Sequence, residues 1–159
     1  MYAGLMHNGK VVFLDKLSEY DHETNQTVPL AYQTNAFCFG GSFLANGTFI
    51  SFLGNAPISA QDPTISDGFR GIRYLTRSAD SALDGEAWHE PGTQLDSARR
   101  YASRQTMPNG TLFVTSGSLN GLDQNVASNN NPTYAILSPE GITKGTSVVS
   151  LLLVKAQPY

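Results

Sequence analysis

Cysteine is almost missing from this chain of 159 residues, with Cys38 as the single copy. A disulfide within the chain is therefore excluded. Charge is also scarce. Asp, Glu, Lys and Arg make up 14% of the residues, against about a quarter in an ordinary globular protein. The net charge is −3 and no basic stripe is present, which argues against a nucleic-acid partner. No apolar run approaches the ~18 residues of a membrane-spanning helix. The longest, Leu151-Leu152-Leu153-Val154, is only strand-sized. No window sustains apolar residues at i, i+3, i+4 and i+7, so no amphipathic helix is expected. The first residues, Met1-Tyr2-Ala3-Gly4-Leu5-Met6-His7, lack the charged and then apolar segments of a signal peptide.

What is present is apolar residue and turn residue. Hydrophobic side chains make up 40% of the chain, punctuated by 15 Gly and 8 Pro. That much apolar content excludes disorder and suits a turn-rich all-β fold. Asn-Gly pairs recur at Asn8-Gly9, Asn46-Gly47 and Asn109-Gly110, each between apolar or β-branched runs. Asn-Gly is a strong hairpin signal, and a type I′ turn is expected at each. A shift of 63 residues carries Asn46-Gly47-Thr48 onto Asn109-Gly110-Thr111, Gly54 onto Gly117, and Cys38 onto Tyr101. A shift of 38 residues carries the first pair onto the second, so residue 1 falls just after the Cys38 equivalent. The chain is thus expected to begin inside a repeat unit. Further extended runs are expected at 69–76, 132–138 and 147–155, and residues 20–25 read as a strand end entering a turn. Short strands repeating every ~40–60 residues are the pattern of propeller blades.

Three sequons, Asn25-Gln26-Thr27, Asn46-Gly47-Thr48 and Asn109-Gly110-Thr111, are compatible with secretion. Cys38 alone has two readings, a small buried hydrophobe or a functional thiol. His7, His22 and His89 are scattered and form no metal motif, so surface positions are expected for all three. Trp88 is expected in the core. Arg99 and Arg100 read as a solvated or a packing pair.

One stretch contains Trp88, then Leu95-Asp96-Ser97-Ala98-Arg99-Arg100-Tyr101-Ala102-Ser103, then Met107-Pro108-Asn109-Gly110-Thr111-Leu112-Phe113-Val114 and Gly117-Ser118. It resembles a kelch repeat and, more narrowly, the N-terminal propeller of glyoxal oxidases, relatives of galactose oxidase. Gln33-Thr34-Asn35-Ala36-Phe37-Cys38, Gly68-Phe69-Arg70-Gly71-Ile72-Arg73-Tyr74-Leu75 and Ser118-Leu119-Asn120-Gly121-Leu122-Asp123 are similar to the same family. The resemblance implies a kelch-type β-propeller around one copper ion. It implies oxidation of a small aldehyde or alcohol by O2, with release of hydrogen peroxide, outside the cell. Cys38 matches the family's cysteine, and Tyr101 the tyrosine that binds copper and is joined to that cysteine by a thioether. Together they would form the radical cofactor. The family's other ligands, a second tyrosine followed by a histidine and a later histidine, have no match here. Arg100 stands where the family mostly carries an aromatic side chain. The expectation is one incomplete propeller domain over residues 1–159, with about two whole blades and two partial ones, inactive by itself. A kelch-repeat binding module and a non-functional relic are the alternatives.

Overall fold

In the computed structural model, residues 3–14, 17–37, 40–83, 85–120, 125–144 and 147–155 are described. They form three antiparallel sheets in chain order. The first contains β1 (Ala3–Leu5), β2 (Val11–Phe13), β3 (Ser18–Asp21) and β4 (Gln26–Pro29). The second contains β5 (Gly40–Phe43), β6 (Phe49–Phe52) and β7 (Ile72–Leu75). The third contains β8 (Ser103–Thr106), β9 (Leu112–Thr115), β10 (Thr133–Leu137) and β11 (Val148–Val149). Each strand pairs with the one before it, so each sheet is a simple meander. This is the strand pattern of propeller blades. The three sheets do not close into a ring.

All three Asn-Gly pairs sit at hairpin tips, as their sequence context requires. The turn type differs from the I′ expectation. Only the glycines are left-handed, with φ of 75°, 83° and 81° at Gly9, Gly47 and Gly110. In the first hairpin, Gly9 N–H donates to Met6 O and Met6 N–H to Lys10 O, at 3.0 and 2.8 Å. The other two hairpins repeat this pair between Leu44, Gly47 and Thr48, and between Met107, Gly110 and Thr111. These are three-residue loops, a type I turn closed by a left-handed glycine bulge. The asparagine carboxamide completes each loop. Asn8, Asn46 and Asn109 Oδ1 accept from the N–H two residues on, at 3.1, 3.0 and 3.1 Å.

The core runs continuously between the sheets. Phe49, Ile50, Ser51 and Phe52 of β6 are all fully buried, although alternate residues of a strand face opposite ways. Both faces of the middle sheet are therefore covered. On one side Phe49 lies against Gly4 of β1, where a Cβ would meet its ring at 3.0 Å. On the other, Ile50 and Tyr74 lie against Gly141, in the turn after β10. Tyr74 Oη donates to Gly141 O at 3.1 Å. Burial of one such Phe or Ile contributes about 1.5–3 kcal/mol. Trp88 joins this core. An ion pair also crosses between the first two sheets. Glu19 of β3 and Arg77, beyond β7, are both buried and 3.2 Å apart. Breaking a buried pair of this kind costs about 3–5 kcal/mol.

The run 147–155 departs from its expectation. It is extended only through β11 and then turns into a short helix, α1 (Leu151–Lys155). Ser150 starts that helix, accepting from Val154 N–H on its carbonyl at 3.0 Å. Leu and Lys are good helix formers, and a short apolar run does not by its periodicity distinguish strand from helix.

Candidate functional site

The first strands of the second and third sheets, β5 and β8, run side by side in the same direction. Arg104 Nε on β8 donates to Gly41 O on β5. Ser42 Oγ and Thr106 Oγ1 are hydrogen-bonded at 2.9 Å. Their N-terminal ends, and the segments leading into them, thus lie at the same edge of the molecule. Tyr101 stands two residues before β8. Cys38 stands two residues before β5 and lies outside the described residues.

The segment leading into β8 is tightly specified around Tyr101. Arg100 forms an antiparallel bridge with Ser118, each N–H donating to the other's carbonyl at 2.8 Å. Gly117 has φ 97°, and a Cβ there would meet Arg100 O at 2.7 Å. The close approach and the left-handed backbone both demand glycine. Tyr101 itself is left-handed at φ 60°, a conformation that costs a non-glycine residue about 1–2 kcal/mol. It is 46% exposed, so the strain is not offset by burial of its ring. The surroundings hold that strain in place, as they do at Leu53 and Ser116. The buried Arg100 guanidinium lies 5.2 Å from the ring centroid, in cation–π contact. Arg99 is completely buried. It donates to Ser116 O at 3.1 Å, to Thr133 O at 2.7 Å, and to Ser147 Oγ at 2.9 Å. Asn131 Nδ2 donates to Ala98 O at 2.7 Å. Arg99 and Arg100 are thus a packing pair rather than a solvated one.

The segment leading into β5 is held comparably. Asn35 N–H donates to Ser66 O, and Asn35 O accepts from Asn55 N–H, at 2.9 and 3.1 Å. Its carbonyl sits in a notch between two glycines. A Cβ on Gly54 or on Gly68 would come within 1.8 Å of Asn35 O, which no side chain can do. Arg73, fully buried, donates to Leu53 O, Thr34 O and Asn35 O at 2.7, 3.1 and 3.3 Å. Glu90 receives Thr34 Oγ1 and Gln33 N–H, both at 2.6 Å, and lies 3.6 Å from Arg73 Nε. Burial lowers the Arg73 pKa from 12.5 to about 10, with Glu90 opposing it. It remains a cation at neutral pH. A cleft of about 200 Å³ opens beside this segment, lined by Leu17, Tyr32, Asn35, Ala36, Phe37 and Ile58.

The 63-residue shift maps these two segments onto one another in detail. Leu53 and Ser116 correspond, and both are left-handed, with φ of 75° and 64°. Each carbonyl of this pair accepts from a buried arginine, Arg73 in one case and Arg99 in the other. In the sequence Arg99 reads equally as a solvated or a packing residue. Arg73 carries a trace of its burial, since it interrupts the apolar run Ile72, Tyr74, Leu75.

His7, His22 and His89 are exposed, as expected. Among the described residues, no group of three or more His, Cys, Asp or Glu side chains is placed to hold a metal ion. The exposed phenol of Tyr101 suits one position of a copper site, for which imidazole and oxygen donors are the usual set. The described residues do not complete such a site. Among them, no helix is long and apolar enough to cross a membrane.

These sheets and the segments between them have the strand pattern of successive propeller blades. A solved structure of a fungal alcohol oxidase of the AA5 family, in complex with copper, has the same fold over 87% of this chain. The TM-score is 0.52 and the identity 19%, and the match covers 24% of that chain. Aldehyde oxidase GLOX1 of Arabidopsis thaliana is 30% identical over 97 residues, which are 61% of this chain and 13% of that protein. Residues 17–136 match the glyoxal oxidase N-terminus family, and the chain belongs to that family.

Proposed function

We propose that this chain is part of a secreted copper-radical oxidase that oxidises small aldehydes or alcohols with O2 and releases hydrogen peroxide. Cys38 and Tyr101 are its redox cofactor, joined by a thioether, and Tyr101 is one copper ligand. The observation that carries this reading is the adjacency of β5 and β8; in the sequence, Cys38 and Tyr101 each stand two residues before one of these strands. Family membership, by residues 17–136, supports the reaction class. A copper ion held in part by Tyr101, together with the Cys38–Tyr101 thioether, would supply a two-electron acceptor for one substrate. The chain's own part is to fix Tyr101 in its left-handed conformation and to lay Arg100 over its ring. The family's second tyrosine with its adjoining histidine, and its later histidine, have no match in these 159 residues, so this segment is expected to be inactive by itself.

The test is peroxide release by the natural-length protein with small aldehydes and alcohols, before and after copper loading. Copper-dependent release, lost in both Tyr101→Phe and Cys38→Ser, is the expected result. Release that survives Tyr101→Phe would remove Tyr101 from the chemistry.

A further inference from the structure

The three Asn-Gly hairpin tips share one backbone geometry but use their side-chain amides differently. Asn8 Nδ2 is occupied, donating to Glu19 Oε1 at 3.0 Å and to Ser81 O at 3.4 Å. Residue 10 is a lysine, so Asn8 is not in a sequon. Asn46 and Asn109 are followed two residues on by Thr48 and Thr111, and so are sequon asparagines. Both are exposed, and among the described residues neither Nδ2 makes a hydrogen bond. The third sequon asparagine, Asn25, is also exposed. It sits left-handed, at φ 58°, in the turn between β3 and β4. Its Oδ1 accepts from Tyr20 Oη, and its Nδ2 likewise makes no hydrogen bond among the described residues.

The topology places all three on one face. In a meander, the turns after the first and third strands lie at one end of the sheet, and the start of the first strand lies at the other. Asn46 follows β5, Asn109 follows β8, and Asn25 follows β3. Because β5 and β8 run in the same direction, Asn46 and Asn109 point to the same side, away from Tyr101. The first sheet aligns with them, since Leu14 beyond β2 approaches Gly41 at the start of β5. Eight residues along the chain separate Tyr101 from Asn109, at most about 26 Å at ~3.3 Å per residue.

We propose that Asn25, Asn46 and Asn109 carry N-linked glycans, making the face opposite Tyr101 the glycosylated face of the protein. The proposal rests on the extracellular part of the preceding reading but not on the oxidase chemistry. In the transfer, the carboxamide nitrogen bonds to the anomeric carbon of a lipid-pyrophosphate-linked oligosaccharide. The anomeric C–O bond breaks, the lipid pyrophosphate leaves, and the amide loses one proton. An amide nitrogen with no internal partner takes the sugar without costing the fold a hydrogen bond. The large polar adduct then projects into solvent.

The natural-length protein, secreted from a eukaryotic host, would be treated with peptide N-glycosidase in heavy-isotope water and mapped by mass spectrometry. Labelled aspartate at positions 25, 46 and 109, with none at position 8, is the expected result. A second expectation comes from the geometry: enzymatic deglycosylation of the folded protein leaves its melting temperature and its Cys38 reactivity unchanged. Secreted protein with all three asparagines unlabelled would overturn the proposal. Labels found on a protein without copper-dependent peroxide release would sink the oxidase reading and leave this one standing.

Discussion

The segments leading into β5 and β8 solve one backbone problem with different side chains. In each sheet a left-handed residue follows the second strand of the hairpin, Leu53 in one and Ser116 in the other. In each, a buried arginine takes that residue's carbonyl. The arginines come from different places. Arg73 lies in the third strand of its sheet, whereas Arg99 lies two residues before Tyr101. Asn35 O is held by Asn55 N–H, Arg73 and a two-glycine notch. Its counterpart, Ala98 O, is held by Asn131. The repeat therefore preserves which carbonyls are held, while the donors holding them vary.

That difference orders the substitutions that would break it. The largest loss is expected at the Asn35 notch. Gly54→Ala or Gly68→Ala would drive a Cβ to within 1.8 Å of a backbone oxygen, and a backbone cannot yield as a side-chain tip can. Upward of about 4 kcal/mol of stability should be lost in denaturant unfolding. Arg73→Met comes next. It strands Leu53 O and Thr34 O, takes one of two donors from Asn35 O, and leaves Glu90, whose side chain is 5% exposed, without its cation. About 3–4 kcal/mol is expected in the same unfolding assay.

Smaller losses are expected in front of β8. Gly117→Ala meets its oxygen at 2.7 Å and a strained φ of 97°, for about 2–3 kcal/mol. A greater loss here than at Gly54 would contradict the tighter hold on Asn35. Arg99→Met strands Ser116 O, while Thr133 O keeps the N–H of Ser116, and it strands no comparably buried carboxylate; about 2–3 kcal/mol is expected. The smallest effect is at Arg100. Arg100→Gln removes the cation over Tyr101 and should cost about 0.5–1 kcal/mol. A loss as large as that of Arg99→Met would mean that Arg100 holds the fold rather than the ring.

The hairpins were legible in the sequence because Asn-Gly between apolar runs has few other uses. Their turn type was not. Asn-Gly suits both a type I′ turn and a type I turn with a glycine bulge, and strand register decides between them. Met6 pairs with Lys10, which leaves three residues in the loop rather than two. The 63-residue shift put Tyr101 at the place equivalent to Cys38, ahead of a hairpin. Its left-handed backbone was not legible, because that comes from Gly117 and Ser118, which pack against Arg100 from farther along the chain. The burial of Arg73 and Arg99 was equally hidden, since their partner carbonyls lie 20 and 17 residues away along the chain. The run Leu151-Leu152-Leu153-Val154 reads as strand or helix with equal ease, and Ser150 tips it to helix.

The most direct test of the central claim is the covalent state of Cys38 and Tyr101. The natural-length protein, folded, loaded with copper and exposed to air, would be alkylated at its thiols, digested and weighed. Forming the bond between Cys38 Sγ and the Tyr101 ring removes one hydrogen from each, and O2 accepts the two electrons. The expected result is a single cross-linked peptide spanning both residues, lighter by two hydrogens and closed to alkylation. A folded, copper-loaded protein whose Cys38 is still fully alkylated would contradict the pairing of these two residues as a redox cofactor.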